Sequence, residues 1–189
     1  MKKLIIGLMM LCSVVYSDLI TTFDFDLTTA LTWTPPTEDS GTFYYNVAYF
    51  TVSTNGSYTA QNHLITSHDS WDYGTSTNGF TEADTYLYVY QNTFDLSDVK
   101  KNLFAEDDDS YNGGNGYQFE LTQTLDSSTT YWAVITSYDS EELISGEVNV
   151  LGPTGSSISI TTIPEPTALS LITLTGFSLL VGRRIFKRK

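Results

Sequence analysis

Between residues 18 and 163 this chain alternates large apolar or aromatic side chains with polar ones, again and again, at a period of two. Tyr86, Tyr88 and Tyr90 interleave with Leu87 and Val89; Phe23, Phe25 and Leu27 interleave with polar residues; Tyr117, Phe119 and Leu121 repeat the pattern. A period of two sends successive side chains to opposite faces of an extended strand, whereas a helix needs a period of 3.6. The residues filling these stretches are Thr, Tyr, Val, Phe and Ile, which suit a pleated, half-buried surface. Phe43 to Val52 is aromatic on both faces, and Thr130 to Ser137 and Glu147 to Val150 are further strand-like runs. No window of ten or more residues in this region has helical spacing with caps. Asn55-Gly56 predicts a two-residue hairpin joining Phe50–Ser53 to Ser57–Gln61, since such turns need positive φ. Short strands between Gly, Asn, Asp and Ser-rich loops predict an all-β fold, a single β-sandwich or jelly roll, with no internal repeat.

The chain has 189 residues, 41% hydrophobic and 14% aromatic, which is enough apolar surface for one ordinary domain and excludes disorder over most of its length. Its formal charge is -13, from 22 acidic and 9 basic residues. A basic surface for phosphate is absent, so no nucleic-acid partner is expected. Seven of the nine bases lie at the two ends; residues 18–163 hold 21 acids and only Lys100 and Lys101, a formal charge of -19.

Both ends read as targeting segments. Lys2 and Lys3 precede an apolar run of twelve residues, Leu4 to Val15, and Val15-Tyr16-Ser17 places small residues at the -3 and -1 positions of a cleavage site. That is the pattern of a secretory signal peptide, residues 1–17, for signal peptidase to remove. The run is short for a membrane anchor, and Leu11 ahead of Cys12 is too large for a lipoprotein signal. With cleavage after Ser17 the mature chain carries no Cys, which excludes thiol catalysis and Cys-based zinc sites. At the other end, Pro164-Glu165-Pro166 is followed by an apolar run at 168–182 and then by Arg183, Arg184, Lys187, Arg188 and Lys189. This predicts one transmembrane helix with a basic cytoplasmic tail, by the positive-inside rule. Two prolines deny the preceding segment both helix and ladder hydrogen bonds and keep it extended, a form that fits an enzyme's cleft.

The arrangement from Ile163 to Lys189 resembles the PEP-CTERM sorting signal of Gram-negative bacteria. That resemblance implies recognition of Pro164, Glu165 and Pro166 by exosortase, a membrane-embedded cysteine transpeptidase, followed by release or transfer to the cell surface. It also implies association with exopolysaccharide and biofilm matrix. Arg183-Arg184, set apart from the next basic cluster by Ile185-Phe186, is a departure from the pattern. The middle of the chain, about residues 40–150, resembles the pre-peptidase C-terminal type of bacterial β-sandwich. The resemblance rests on Tyr49-Phe50-Thr51-Val52, on Thr85 to Tyr90, on the acidic stretch after Asn102-Leu103-Phe104 and on Thr130-Tyr131-Trp132-Ala133-Val134. That family is non-catalytic, and some of its members bind calcium.

The stretch Glu106-Asp107-Asp108-Asp109-Ser110, followed by Asn112-Gly113-Gly114, is the best candidate for specific chemistry. Adjacent carboxylates repel one another, calcium takes six to eight oxygen ligands, and glycines let backbone carbonyls turn inward. Asp107, Asp108, Asp109 and Asn112 are therefore the expected calcium ligands, with a solvated hairpin tip as the alternative. An EF-hand register fails, because it puts Phe119 where a bidentate Glu belongs. His63 and His68, near Asp69 and Asp72, match no zinc spacing and are expected in a surface loop. No G-x-S-x-G elbow supports a nucleophile, and no pair among the 21 acids stands out for glycoside hydrolysis. Trp33, Trp71 and Trp132 offer either core packing or a sugar-stacking face; Trp132 reads as core, and Trp71, in a polar stretch, as the exposed ring.

The expected organisation is thus a signal peptide at 1–17, a β-sandwich ectodomain at 18–157, a linker at 158–163 and a sorting signal at 164–189. The expected role is that of an exported, non-catalytic protein of the cell surface or matrix. It would cross the inner membrane of a Gram-negative cell, be held by its C-terminal helix and then be passed to the surface or beyond. A carbohydrate-binding module and a calcium-dependent adhesive domain are the alternatives, with a secreted hydrolase behind them.

Overall fold

The computed structural model describes residues 17–27, 31–37, 41–69, 84–111, 117–138 and 143–163. The expected signal peptide up to Tyr16, Trp71, Asp72, Asn112 and the segment from Pro164 onward lie outside the described residues. Among the described residues ten strands form in chain order: β1 Ser17–Asp26, β2 Leu31–Trp33, β3 Phe43–Val52, β4 Gly56–Asp69, β5 Thr85–Gln91, β6 Leu103–Asp107, β7 Glu120–Leu125, β8 Tyr131–Ser137, β9 Leu143–Pro153 and β10 Ile158–Thr162. The fold is all-β, and among the described residues there is no membrane-crossing helix.

Two sheets divide the strands. The first has the order β1-β9-β4-β7; the second has the order β10-β3-β8-β5-β6, with β2 also paired to β3. All pairings are antiparallel. The alternation seen in the sequence now has its cause. Phe25, Tyr58, Leu121, Val148 and Val150 of the first sheet meet Val52, Leu87, Val89, Tyr131, Ala133 and Ile135 of the second in one apolar core, the layering of a β-sandwich. Within it, Asn62 and Thr85 are fully buried, and the Asn62 amide donates to the Thr85 hydroxyl at 3.0 Å, tying β4 to β5. A small apolar cavity of about 50 Å³ remains between the sheets, with Phe23, Phe50, Ile158 and Ile160 among its lining residues.

Strand β3 is aromatic on both faces because the second sheet is covered on both. Its outer face carries a second cluster of Trp33, Phe43, Tyr45, Val47, Tyr88, Tyr90 and Val134, and Phe94, Val99 and Ile163 pack against it. The Trp33 ring lies 5.4 Å from Tyr88 and 5.6 Å from Phe94, edge to face in both cases, a favoured geometry for aromatic pairs. Two of the three tryptophans can be placed: Trp33 is core, and Trp132 is half-buried on this outer face.

Two expectations are corrected. Asn55-Gly56 does not close a hairpin: β3 and β4 belong to different sheets, and the dipeptide turns the chain from one to the other. The Asn55 side-chain oxygen accepts from the Ser127 amide and hydroxyl, both at 2.8 Å. A side chain on Gly56 would meet the Pro153 ring at 2.5 Å. The pair is thus fixed by what it packs against, and Gly56 has no need of positive φ. Residues 158–163 are not a linker: Ile158–Thr162 pair with β3 as β10, and the Ile163 amide donates to the Val47 carbonyl at 3.2 Å. Ile158, Ile160 and Ile163 supply the apolar surface that holds this segment down.

Candidate functional site

The acidic stretch lies at the end of β6, where the chain leaves the second sheet for the first. Asp107 belongs to the strand, and its carboxylate is spent on structure. One oxygen accepts from the Glu120 backbone amide at 2.7 Å and the other from the Ser110 hydroxyl at 2.5 Å. Asp108 folds back on the chain and accepts from the Asp109 amide at 2.8 Å. Partial burial, with Asp108 beside it, raises the Glu106 carboxyl above its usual range; partial burial with Asp108 and Asp107 does the same for Asp109. Both side chains keep contact with water, which screens the effect. Among the described residues no group of three or more His, Cys, Asp or Glu is placed to hold a metal ion. The expected ligands Asp107, Asp108 and Asp109 thus lie together, but Asp107 is committed to two internal bonds, and Asn112 lies outside the described residues.

The outer face of the second sheet is the other candidate. Tyr86 and Tyr88 stack at 4.4 Å with their planes 5° apart. The Tyr88 hydroxyl sits 2.6 Å from the Thr37 hydroxyl, and that of Tyr90 donates to the Val99 carbonyl at 2.9 Å. Burial, then the charges of Glu106 and Asp108, push the Tyr86 phenol up to about 12; burial drives Tyr88 and Tyr90 higher still. All three are neutral hydrogen-bonding groups at physiological pH, unsuited to act as bases or nucleophiles. Farther along this face, exposed Tyr49 packs on Trp132 at 5.5 Å, and the Trp132 indole donates to the Asn92 carbonyl at 3.0 Å. Tyr49 is the exposed member of this pair and Trp132 is half-buried, where the sequence pattern read Trp132 as core.

His63 and His68 lie in strand β4, where a loop was expected, and His63 is exposed. Lys101 pairs with Asp95 at 3.2 Å. The sequence motif at Pro164, Glu165 and Pro166 lies outside the described residues and follows Ile163, whose amide donates to the Val47 carbonyl.

The described fold defines an all-β protein of two packed antiparallel sheets. Comparison with protein-family models, with curated protein sequences and with solved structures gave no match.

Proposed function

We propose that this protein is an exported, non-catalytic β-sandwich, sorted through its C-terminal segment and serving at the cell surface or in the extracellular matrix. In this account residues 1–17 direct export, and Pro164, Glu165 and Pro166 are recognised by an exosortase-type transpeptidase. The run at 168–182 holds the precursor in the membrane, with Arg183, Arg184, Lys187, Arg188 and Lys189 on the cytoplasmic side. What most supports the account is the order of features in the sequence: Lys2 and Lys3 before the apolar run Leu4 to Val15 at one end, and Pro164-Glu165-Pro166, an apolar run at 168–182 and five basic residues at the other. Replacing Pro164 and Pro166 together with Ala tests it: the full-length precursor should accumulate in the membrane fraction, and unchanged release would count against the motif.

A second account, carbohydrate binding, draws support from the exposed Tyr49 beside the half-buried Trp132. Aromatic faces stack on sugar rings, and loss of polysaccharide binding in Tyr49→Ala would favour it. Calcium-dependent adhesion is compatible with either account, since divalent cations bridge an anionic domain to anionic polymers.

A further inference from the structure

The exposed edges of the two sheets differ in one respect. Edge strand β1 carries Asp18, Asp24 and Asp26; β6 carries Glu106 and Asp107; β7 carries Glu120. Charges on an edge strand keep another chain from pairing with it. Strand β10, Ile-Ser-Ile-Thr-Thr, has none, and no charged residue occurs anywhere from Val148 to Pro164. This is in a region whose formal charge is otherwise -19.

The hydrogen-bond parity of β10 shows what that edge offers. Ser157 accepts from the Ser53 amide and Ile163 donates to the Val47 carbonyl, so the odd-numbered residues face β3. In an antiparallel ladder the alternate residues point their amides and carbonyls the other way. Ile158, Ile160 and Thr162 therefore present theirs outward, and among the described residues no strand pairs with that side.

We propose that β10 is a self-association edge, at which a second copy of this chain pairs antiparallel, β10 to β10, across a two-fold axis at Ile160. That register is self-complementary. Ile160 pairs with its own copy and Ile158 with the partner's Thr162, so each outward residue donates one bond and accepts one, about six in all. The side chain of Ile160, which with Ile158 lines the cavity between the sheets, meets its copy, and that of Ile158 meets the partner's Thr162. The occupant is a second copy because the outward donors and acceptors match under the two-fold. Among the described residues, β10 is also the one edge longer than three residues where two such anionic domains pair strands without facing carboxylates. The remaining charge repels at a distance, so added salt strengthens the pairing.

The test uses the full-length chain: amide hydrogen exchange and sedimentation equilibrium, each across a range of protein concentrations. The expected result is a dimer in which protection of the Ile158, Ile160 and Thr162 amides rises with concentration. Thr162→Pro removes an outward amide and no bond to β3, so it should lose both the dimer and the protection while the melting temperature is retained. Leu19→Lys, on the β1 edge, should change neither. A chain that is monomeric at every concentration would overturn the proposal. So would a dimer in which these three amides exchange as freely as in the monomer, because association would then run through another surface.

Discussion

The carboxylate of Asp107, the last residue of β6, accepts the backbone amide of Glu120, the first residue of β7, at 2.7 Å. These strands belong to different sheets, so one side chain holds together the layers where the chain passes between them. The other oxygen takes the Ser110 hydroxyl and fixes the turn that follows. Asp107→Ala leaves the Glu120 amide without its acceptor at a partly buried position. A hydrogen bond to a charged acceptor contributes about 1.5–3 kcal/mol, and a loss of that order should appear in urea melts. Asp108→Ala, which removes one bond to the adjacent amide, should cost less.

Gly146 and Gly155 should behave oppositely. A Cβ at Gly146 would stand 2.3 Å from the Leu64 carbonyl oxygen and 2.9 Å from the Phe25 ring. The carbonyl is main chain, in the irregular part of the β4–β9 ladder, so it yields less readily than a flexible side chain. Gly146→Ala should therefore destabilise by about 1–3 kcal/mol, the usual cost of overpacking. Gly155 lies in the open with φ at +78°, so Gly155→Asn should be nearly neutral and Gly155→Val clearly unfavourable. Thermal melts of the three variants check the order.

Acid should act on the turns in two directions. The Ser128 amide and hydroxyl hold the Asp126 carboxyl below its usual range, and Ser97 with Lys101 does the same for Asp95. A depressed native value means that the stability each carboxylate contributes is present above the unfolded value of 3.8 and is lost as pH falls through the lower native value. Asp126→Asn should then melt below the wild type at pH 7, and the two curves should converge in strong acid. Glu106 and Asp109 have raised values, so their sign is reversed: folding takes up protons there, and mild acid relieves first the cost of burying their charge and then their repulsion. Glu106→Gln should raise the melting temperature at pH 7, and the difference should shrink as pH falls.

That same repulsion gives calcium a physical route to act. A divalent cation near Asp107, Asp108 and Asp109 would favour the charged form of Asp109 and lower its raised value. Calcium at millimolar concentration should raise the melting temperature, and Asp108→Asn should diminish the rise. The same melting temperature with calcium and with a chelator would remove calcium from the account.

The strands with the strongest alternation were legible in the sequence. Phe43–Val52 coincides with β3, and Tyr86, Tyr88 and Tyr90 fall in β5. The weaker elements were not. Strand β2 has three residues, too few to show a period; β6 ends in carboxylates, which read as a loop; β10 mixes Ile with Ser and Thr behind a Gly-Pro-Thr-Gly turn and read as a linker. The Asn55-Gly56 error has a different origin. Local turn chemistry records that the chain reverses there, and only the packing of Asn55 on Ser127 and of Gly56 on Pro153 decides which sheet it enters. At the candidate sites the carboxylates were visible in the sequence. The use of Asp107 as a tie between layers depends on Glu120, thirteen residues later in the chain.

The central claim is that the chain leaves the cytoplasm and loses both ends. The intact mass of the protein, recovered from the surface or medium of the cells that make it, tests this most directly. The expected mass is that of a chain that begins at Asp18 and has been cut near Pro164, without the apolar run at 168–182 and its basic tail. A full-length chain from Met1 to Lys189, found only in the cytoplasm, would contradict it.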